Sequence, residues 1–436
     1  MSEDGGRRVA IAQPSFPIRE SHAHVYQLGR SLGMIEFSAC GSAAEVLEAF
    51  AMRLAQQRQD GEVTVLLGQG ARPESWEPRA WPTLDELDRV TGKIPALAWC
   101  FDYHALLANS AMLKLAGFGR STPDPPGGML ERDSAGHPTG LVFEAAALAV
   151  WHAVPEPSPA QRNRDVREGL QQLAGFAEVH DLKSQPWLGP VVAARFAEQA
   201  DTEAMPERCV LYPLLEDLDE VLATRKAWEH DRVRLGGAKV FVDGTLNSRT
   251  AWMLEPFADG RPEHPRGTPM MMPSEIEEAV RQCDAAGLPM AAHAIGDAAV
   301  RAVLDAIEKV QPTTPGFRIE HAEIIDEADV PRFAELGVIA SVQPCHLLSD
   351  IEVLRTALPH CLSRVLPLRE LIEAGCVPGE SLVFGSDVPI VRADPEDSIL
   401  AATTRRRTDM PKREALAPEQ ALTQEEAWEA FRIAGT

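Results

Sequence analysis

From about residue 160 onward, short apolar runs alternate with longer segments of helical period. Val166, Leu170, Leu173 and Ala177 fall at helical spacing, and a strand follows around Val179-His180-Asp181. Cys209 to Leu215 reads as a strand, followed by a helix up to Trp228. The run Gly237-Ala238-Lys239-Val240-Phe241-Val242-Asp243-Gly244 reads as a strand ending in a loop. Ser274 to Glu277 reads as a capping box, with Ile276, Ala279, Val280 and Cys283 on one face and Gly287 as the stop. Strands then end at His293, His321, Val342 and Asp387, separated by helices opening at Asp297, Val330 and Leu368. With the strand near His22 this makes eight strands alternating with helices. That pattern predicts an α/β fold with a parallel sheet, closed as a (β/α)8 TIM barrel. A further capped helix is predicted at Thr423 to Glu426.

The rhythm fails between the first strand and residue 160. Ser42 to Glu45 is a capping box, and Val46, Leu47, Phe50 and Leu54 follow at helical spacing. Beyond Gly61 only Thr64 to Gly68 and Pro95 to Cys100 look like strands, and loop chemistry such as Pro123-Asp124-Pro125-Pro126-Gly127-Gly128 dominates. The expected organisation is a barrel of residues 1–60 and 160–436. Residues 61–159 form a large insertion after the first strand, a cap over the barrel mouth.

Composition narrows the function. The chain has 436 residues, 45% of them hydrophobic, with 42 Lys and Arg against 65 Asp and Glu, a net charge of -23. Such a surface repels phosphate backbones and anionic lipid, so nucleic acid and membrane are not expected partners. No apolar run reaches the ~18 residues of a membrane span. The first residues lack a secretory apolar core. Seven cysteines without a Cys-x-x-Cys suit reduced thiols in a cytoplasm and no thiolate zinc site. The Arg405-Arg406-Arg407 run is expected to be a solvated face or a local counter-charge.

Active residues of a barrel stand at the C-terminal ends of its strands. His22, His24, Lys239, His293, His321 and Asp387 all do so on the predicted strands. Two residues apart on an extended strand, His22 and His24 point the same way and can grip one cation. Each residue alone is unremarkable, but six on five strand ends point to a metal centre. Imidazole and carboxylate without thiolate suit zinc first, and Mn²⁺, Fe²⁺ or Co²⁺ less selectively.

The chain resembles the amidohydrolase superfamily, in the YtcJ-like branch that includes N-substituted formamide deformylases. The matching segments are Glu20 to His24, Asp243 to Ala251, His293 to Asp297, Arg318 to Glu323, Ala340 to Pro344 and Gly385 to Asp387. Inside the insertion, Asp102-Tyr103-His104, Asn109-Ser110, Pro125 to Gly128 and Pro138 to Gly140 also match. The resemblance implies a site of one or two divalent ions. His22 and His24 would hold the more buried ion, and His293 and His321 the second. Lys239, carbamylated by CO₂, would bridge them, and Asp387 would contact the hydroxide and act as the catalytic base. It implies hydrolysis of a C–N bond of amide or formamide type in a small-molecule substrate. A homo-oligomer is left open. Asp102, Tyr103, His104, Arg249, Gln343 and His346 are the candidate pocket residues. Two departures stand out: Glu20 replaces the usual Asp, and the accessory β-sandwich of the family is expected to be absent or truncated. The alternatives are a deaminase of the same superfamily, against which Lys239 speaks, and a metal-binding regulator without turnover.

Overall fold

The computed structural model describes residues 11, 13–60, 64–182 and 189–433. They fall into two compact units, Met1–Gly29 with Pro159–Thr436, and Arg30–Ser158. The first unit carries two parallel sheets. One has four strands in the order Arg19–Ala23, Glu178–Asp181, Arg208–Leu211, Val233–Leu235. The other has five, Ala238–Phe241, Met290–Ala294, Arg318–His321, Ile339–Val342 and Leu382–Phe384, paired in chain order. Within each sheet helices lie between successive strands, as apolar strands in parallel pairing require. The helix Asp297–Val310 buries Val300, Val303, Leu304 and Ile307. Each such side chain contributes about 1.5–3 kcal/mol.

The ladder does not run unbroken through all the strands. Two isolated parallel bridges, Ala23 with Val388 and Leu214 with Lys239, join the two sheets. The break beside Lys239 has a local cause. Gly236 and Gly237 separate Val233–Leu235 from Ala238–Phe241, and a Cβ on Gly237 would lie 2.3 Å from the Pro289 carbonyl oxygen. Pro213, which has no N–H to give a ladder, lies opposite and accepts from Lys239 N at 2.7 Å. The strand Val233–Leu235, which the sequence reading did not include, therefore ends one sheet just before Ala238–Phe241 opens the other.

Three other expectations change. The helix Ala43–Asp60 belongs to the second unit, where Val46, Phe50 and Leu54 bury against Phe37, Leu66 and Leu87. Residues 61–159 are not mainly loop. They build most of a six-stranded sheet, in the order Ile35–Glu36, Leu66–Ala71, Ala96–Cys100, Ala105–Ala108, Pro138–Glu144, Gly128–Arg132. Its first two pairings are parallel and the others antiparallel. Arg405 is fully buried and donates to the carbonyls of Leu416 and Val365 at 3.1 and 2.6 Å. It follows the helix Pro395–Thr404 at φ 57°, which turns its side chain inward, whereas Arg407 does pair with an acid, Glu352. Among the described residues no helix is long and apolar enough to cross a membrane.

Candidate metal centre

The site grows from how the strand ends are tied together. The Glu20 carboxylate, fully buried, accepts the backbone N–H groups of His22 and Ser386, both at 2.9 Å. Asp387 N donates to His22 O at 2.7 Å. Gly385 permits this approach, because a Cβ there would lie 2.6 Å from His22 N. Asp243 performs the same task at the next join. Its carboxylate accepts from Ile295 N, Gly296 N and Trp252 N at 3.0, 2.9 and 2.8 Å.

Side chains converge above these ties. His22, His321 and Asp387 each bring a ligand atom within 4.8 Å of the others. Asp387 Oδ1 lies 3.2 Å from His22 Nε2 and 2.8 Å from His24 Nε2. The His293 and His321 rings are 4.4 Å apart, and the His22 and His321 rings 5.0 Å. His293 Nε2 meets the Gly244 carbonyl at 3.1 Å. Lys239 is buried at 1% exposure, with Nζ 4.9 Å from the centre of the Phe241 ring. His346 Nε2 accompanies Asp387 Oδ2 at 3.9 Å, and the Gln343 amide reaches His22 Nδ1 at 3.3 Å.

These donors fit a divalent cation. His22 Nε2, His24 Nδ1 and His321 Nδ1 are buried without a hydrogen bond, an arrangement that is costly unless another partner takes the lone pair. Burial, aided by the neighbouring His293, holds His321 well below the usual imidazole range. Burial brings His24 down to about 4 against the pull of Asp387. Both rings are thus neutral, as ligation requires. Burial would raise Asp387, but His22 and His24 outweigh it and keep the carboxylate ionised. Glu20 is pushed up to about 7 by burial, in opposition to its two N–H donors.

The other predicted pocket residues have different surroundings. Arg249 is engaged by Asp259, at 2.9 and 2.6 Å, and by the carbonyls of Leu246 and Asn247, so it holds its own loop instead of presenting a guanidinium to an anion. Asp102, Tyr103 and His104 belong to the second unit. There Asp102 Oδ1 accepts from His104 N at 3.1 Å, Tyr103 OH pairs with Gln69, and His104 Nδ1 meets Glu144 Oε2 at 2.7 Å. Sequence reasoning gave no role to Asp243, Arg318 or Glu320. The only signal available for them was their place in the matching segments.

A model of the Amidohydrolase family matches residues 18–435. The chain is 30% identical over 403 residues to the amidohydrolase YtcJ of Bacillus subtilis (strain 168), covering 91% of this chain and 74% of that protein. It is 27% identical over 372 residues to N-substituted formamide deformylase of Arthrobacter pascens, covering 81% and 66%. The crystal structure of an uncharacterized metal-dependent hydrolase from Pyrococcus furiosus superposes with a TM-score of 0.68 at 26% identity, over 95% of this chain and 80% of that one. The chain belongs to the amidohydrolase family.

Proposed function

We propose that the protein is a metal-dependent hydrolase that cleaves the C–N bond of a small amide or formamide. The carrying observation is the convergence of His22, His321 and Asp387 with buried imidazole nitrogens that have no hydrogen bond. The family supports the hydrolase class, and the likeness to a formamide deformylase supports the bond. The fold we propose is a single (β/α)8 barrel in which Val233–Leu235 and Ala238–Phe241 count as one interrupted strand, its two sheets continued into each other at the bridges Ala23–Val388 and Leu214–Lys239.

The residues to hold the cation are His22, His24, His293, His321 and Asp387, with zinc the first candidate. When bound, such an ion supplies Lewis acidity and lowers the pKa of water to about 7. Lys239 would join the set after its ammonium gives up a proton to water and the neutral amine adds CO₂, a second proton leaving to water, so that an anionic carbamate with two donor oxygens remains. Asp387, ionised and backed by His22 and His24, takes the proton of the attacking water and returns it to the leaving nitrogen. His346, at 3.9 Å from Asp387, lines the same space.

The test is elemental analysis of the purified protein together with a panel of N-formyl and N-acyl amines. Asp387→Asn is expected to retain zinc and lose turnover by about 10²- to 10⁴-fold. A protein without stoichiometric transition metal, or an Asp387→Asn variant of parental rate, would sink the reading.

A further inference from the structure

Beneath the candidate centre lies a continuous chain of buried polar side chains that meets the proposed ligands at His22. It starts at His22 Nδ1, which meets Glu320 Oε2 at 2.7 Å. Ser341 Oγ donates to the same oxygen at 2.7 Å, and Arg318 Nη2 lies 3.2 Å away. Arg318 Nε donates to the other oxygen. The carboxylate is completely buried and both its oxygens are engaged. Arg318 is held in turn by the Ser21 carbonyl at 2.8 Å and by His180 Nδ1 at 3.0 Å. His180 Nε2 then meets Glu178 Oε1 at 3.0 Å.

The charged members of this chain set the donor and acceptor roles along it. A guanidinium only donates, so His180 Nδ1 accepts and its Nε2–H is given to Glu178. An ionised carboxylate only accepts, so the hydrogen of His22 sits on Nδ1. With a cation on this ring, the lone pair of His22 would be on Nε2, the atom that here meets Asp387 at 3.2 Å. A carboxylate behind a ligating imidazole fixes its tautomer and ring rotation and raises its basicity. The backbone makes this placement possible. Arg318 and Glu320, two apart on one strand, share a face. His321 would ordinarily point to the other face, but it ends the strand at φ 72° and joins the same interior.

We infer that Glu320, anchored by Arg318 and Ser341, is a positioning residue that presets His22 Nε2 as a metal ligand. The inference rests on the metal reading above and adds to it the residues that tune affinity. Replacing Glu320 by Gln removes the charge and the obligatory acceptor while keeping the shape. Ser341→Ala removes one anchor and no charge. Zinc affinity is measured by chelator competition on protein of native circular dichroism, with the cobalt(II) absorption spectrum as a second readout. E320Q is expected to bind zinc about 10- to 100-fold more weakly, with an altered cobalt spectrum, and S341A to lose less in the same direction. A role in folding alone would lower the melting temperature without weakening zinc held by folded protein. Folded E320Q of parental zinc affinity overturns the inference. If E320Q does not fold, S341A decides, and parental affinity there overturns it as well. A parent chain that takes up no zinc overturns the metal reading itself, which separates the two failures.

Discussion

His321 and Asp387, two of the three residues that converge most closely, have φ of 72° and 66°. Left-handed backbone at a non-glycine residue costs about 1–3 kcal/mol and persists only where the surroundings over-determine it. At Asp387 the surroundings are the Glu20 carboxylate and the His22–Asp387 backbone bond, and beside His321 they are the bond from Ala322 N to the Ala294 carbonyl at 3.0 Å. The strain places two side chains where the next strand alternation would not. Lys239 poses the opposite problem, a cationic side chain at 1% exposure in an apolar strand. A buried ammonium is expensive, whereas a carbamate among histidines is a ligand. Lys239→Met keeps the apolar stem and removes the amine. It is expected to lower the zinc content while far-UV circular dichroism stays parental, and the parent is expected to be heavier than its sequence mass by one CO₂. Full zinc content in Lys239→Met would end the carbamate reading.

Elements show where sequence patterns carry information and where they fail. The cap at Thr423 was legible because its box is local: Thr423 Oγ1 accepts from Glu426 N at 3.2 Å and Glu426 Oε2 accepts from Thr423 N at 2.8 Å. The box read at Ser274 was displaced. The helix is Pro273–Ala285 with Met272 before it, since proline takes the first helical position and Glu275 accepts from Met272 N at 2.7 Å. The strand ends bearing His22, His293, His321 and Asp387 were legible from short apolar runs. The role of Glu320 was not, because it depends on Ser341 and His22 of other strands. The sheet of the second unit was hidden for another reason: Gly128–Arg132 and Pro138–Glu144 open on glycine or proline and carry polar residues, a composition that reads as loop. The Thr423 helix also carries a pH prediction. Hydrogen bonds from Arg369, with support from Thr423, hold Glu426 down at about 2 against an ordinary 4.5. A depressed carboxylate stabilises the fold above its unfolded value, and that contribution is lost as pH falls through the folded one. Stability should therefore decline between about pH 5 and 2, and Glu426→Gln should flatten that slope in denaturant titrations. An unchanged slope would remove this pair from the acid response.

At the scale of the molecule the two compact units divide the proposed chemistry unequally. Every proposed ligand lies in the unit Met1–Gly29 with Pro159–Thr436, and none in Arg30–Ser158. A ligand that binds only the native form stabilises it by mass action, by about 2.7 kcal/mol at a hundredfold excess over Kd. The gain belongs to whatever opens when the ligands separate. If each unit keeps its own core, zinc should protect the first unit against opening and leave the second unchanged. The cores support that premise, because Phe37, Phe50, Leu66 and Leu107 cluster within one unit while Val240, Ala292, Ile319 and Phe384 cluster within the other. Hydrogen exchange read by mass spectrometry, with and without a chelator, distinguishes the cases. Chelation is expected to speed exchange in peptides of Arg19–Ala23, Met290–Ala294, Arg318–His321 and Leu382–Phe384. Peptides of Leu66–Ala71 and Pro138–Glu144 should exchange as before. Equal acceleration in both sets would mean that the ion stabilises a single cooperative body, and the division of labour between the units would fall with it.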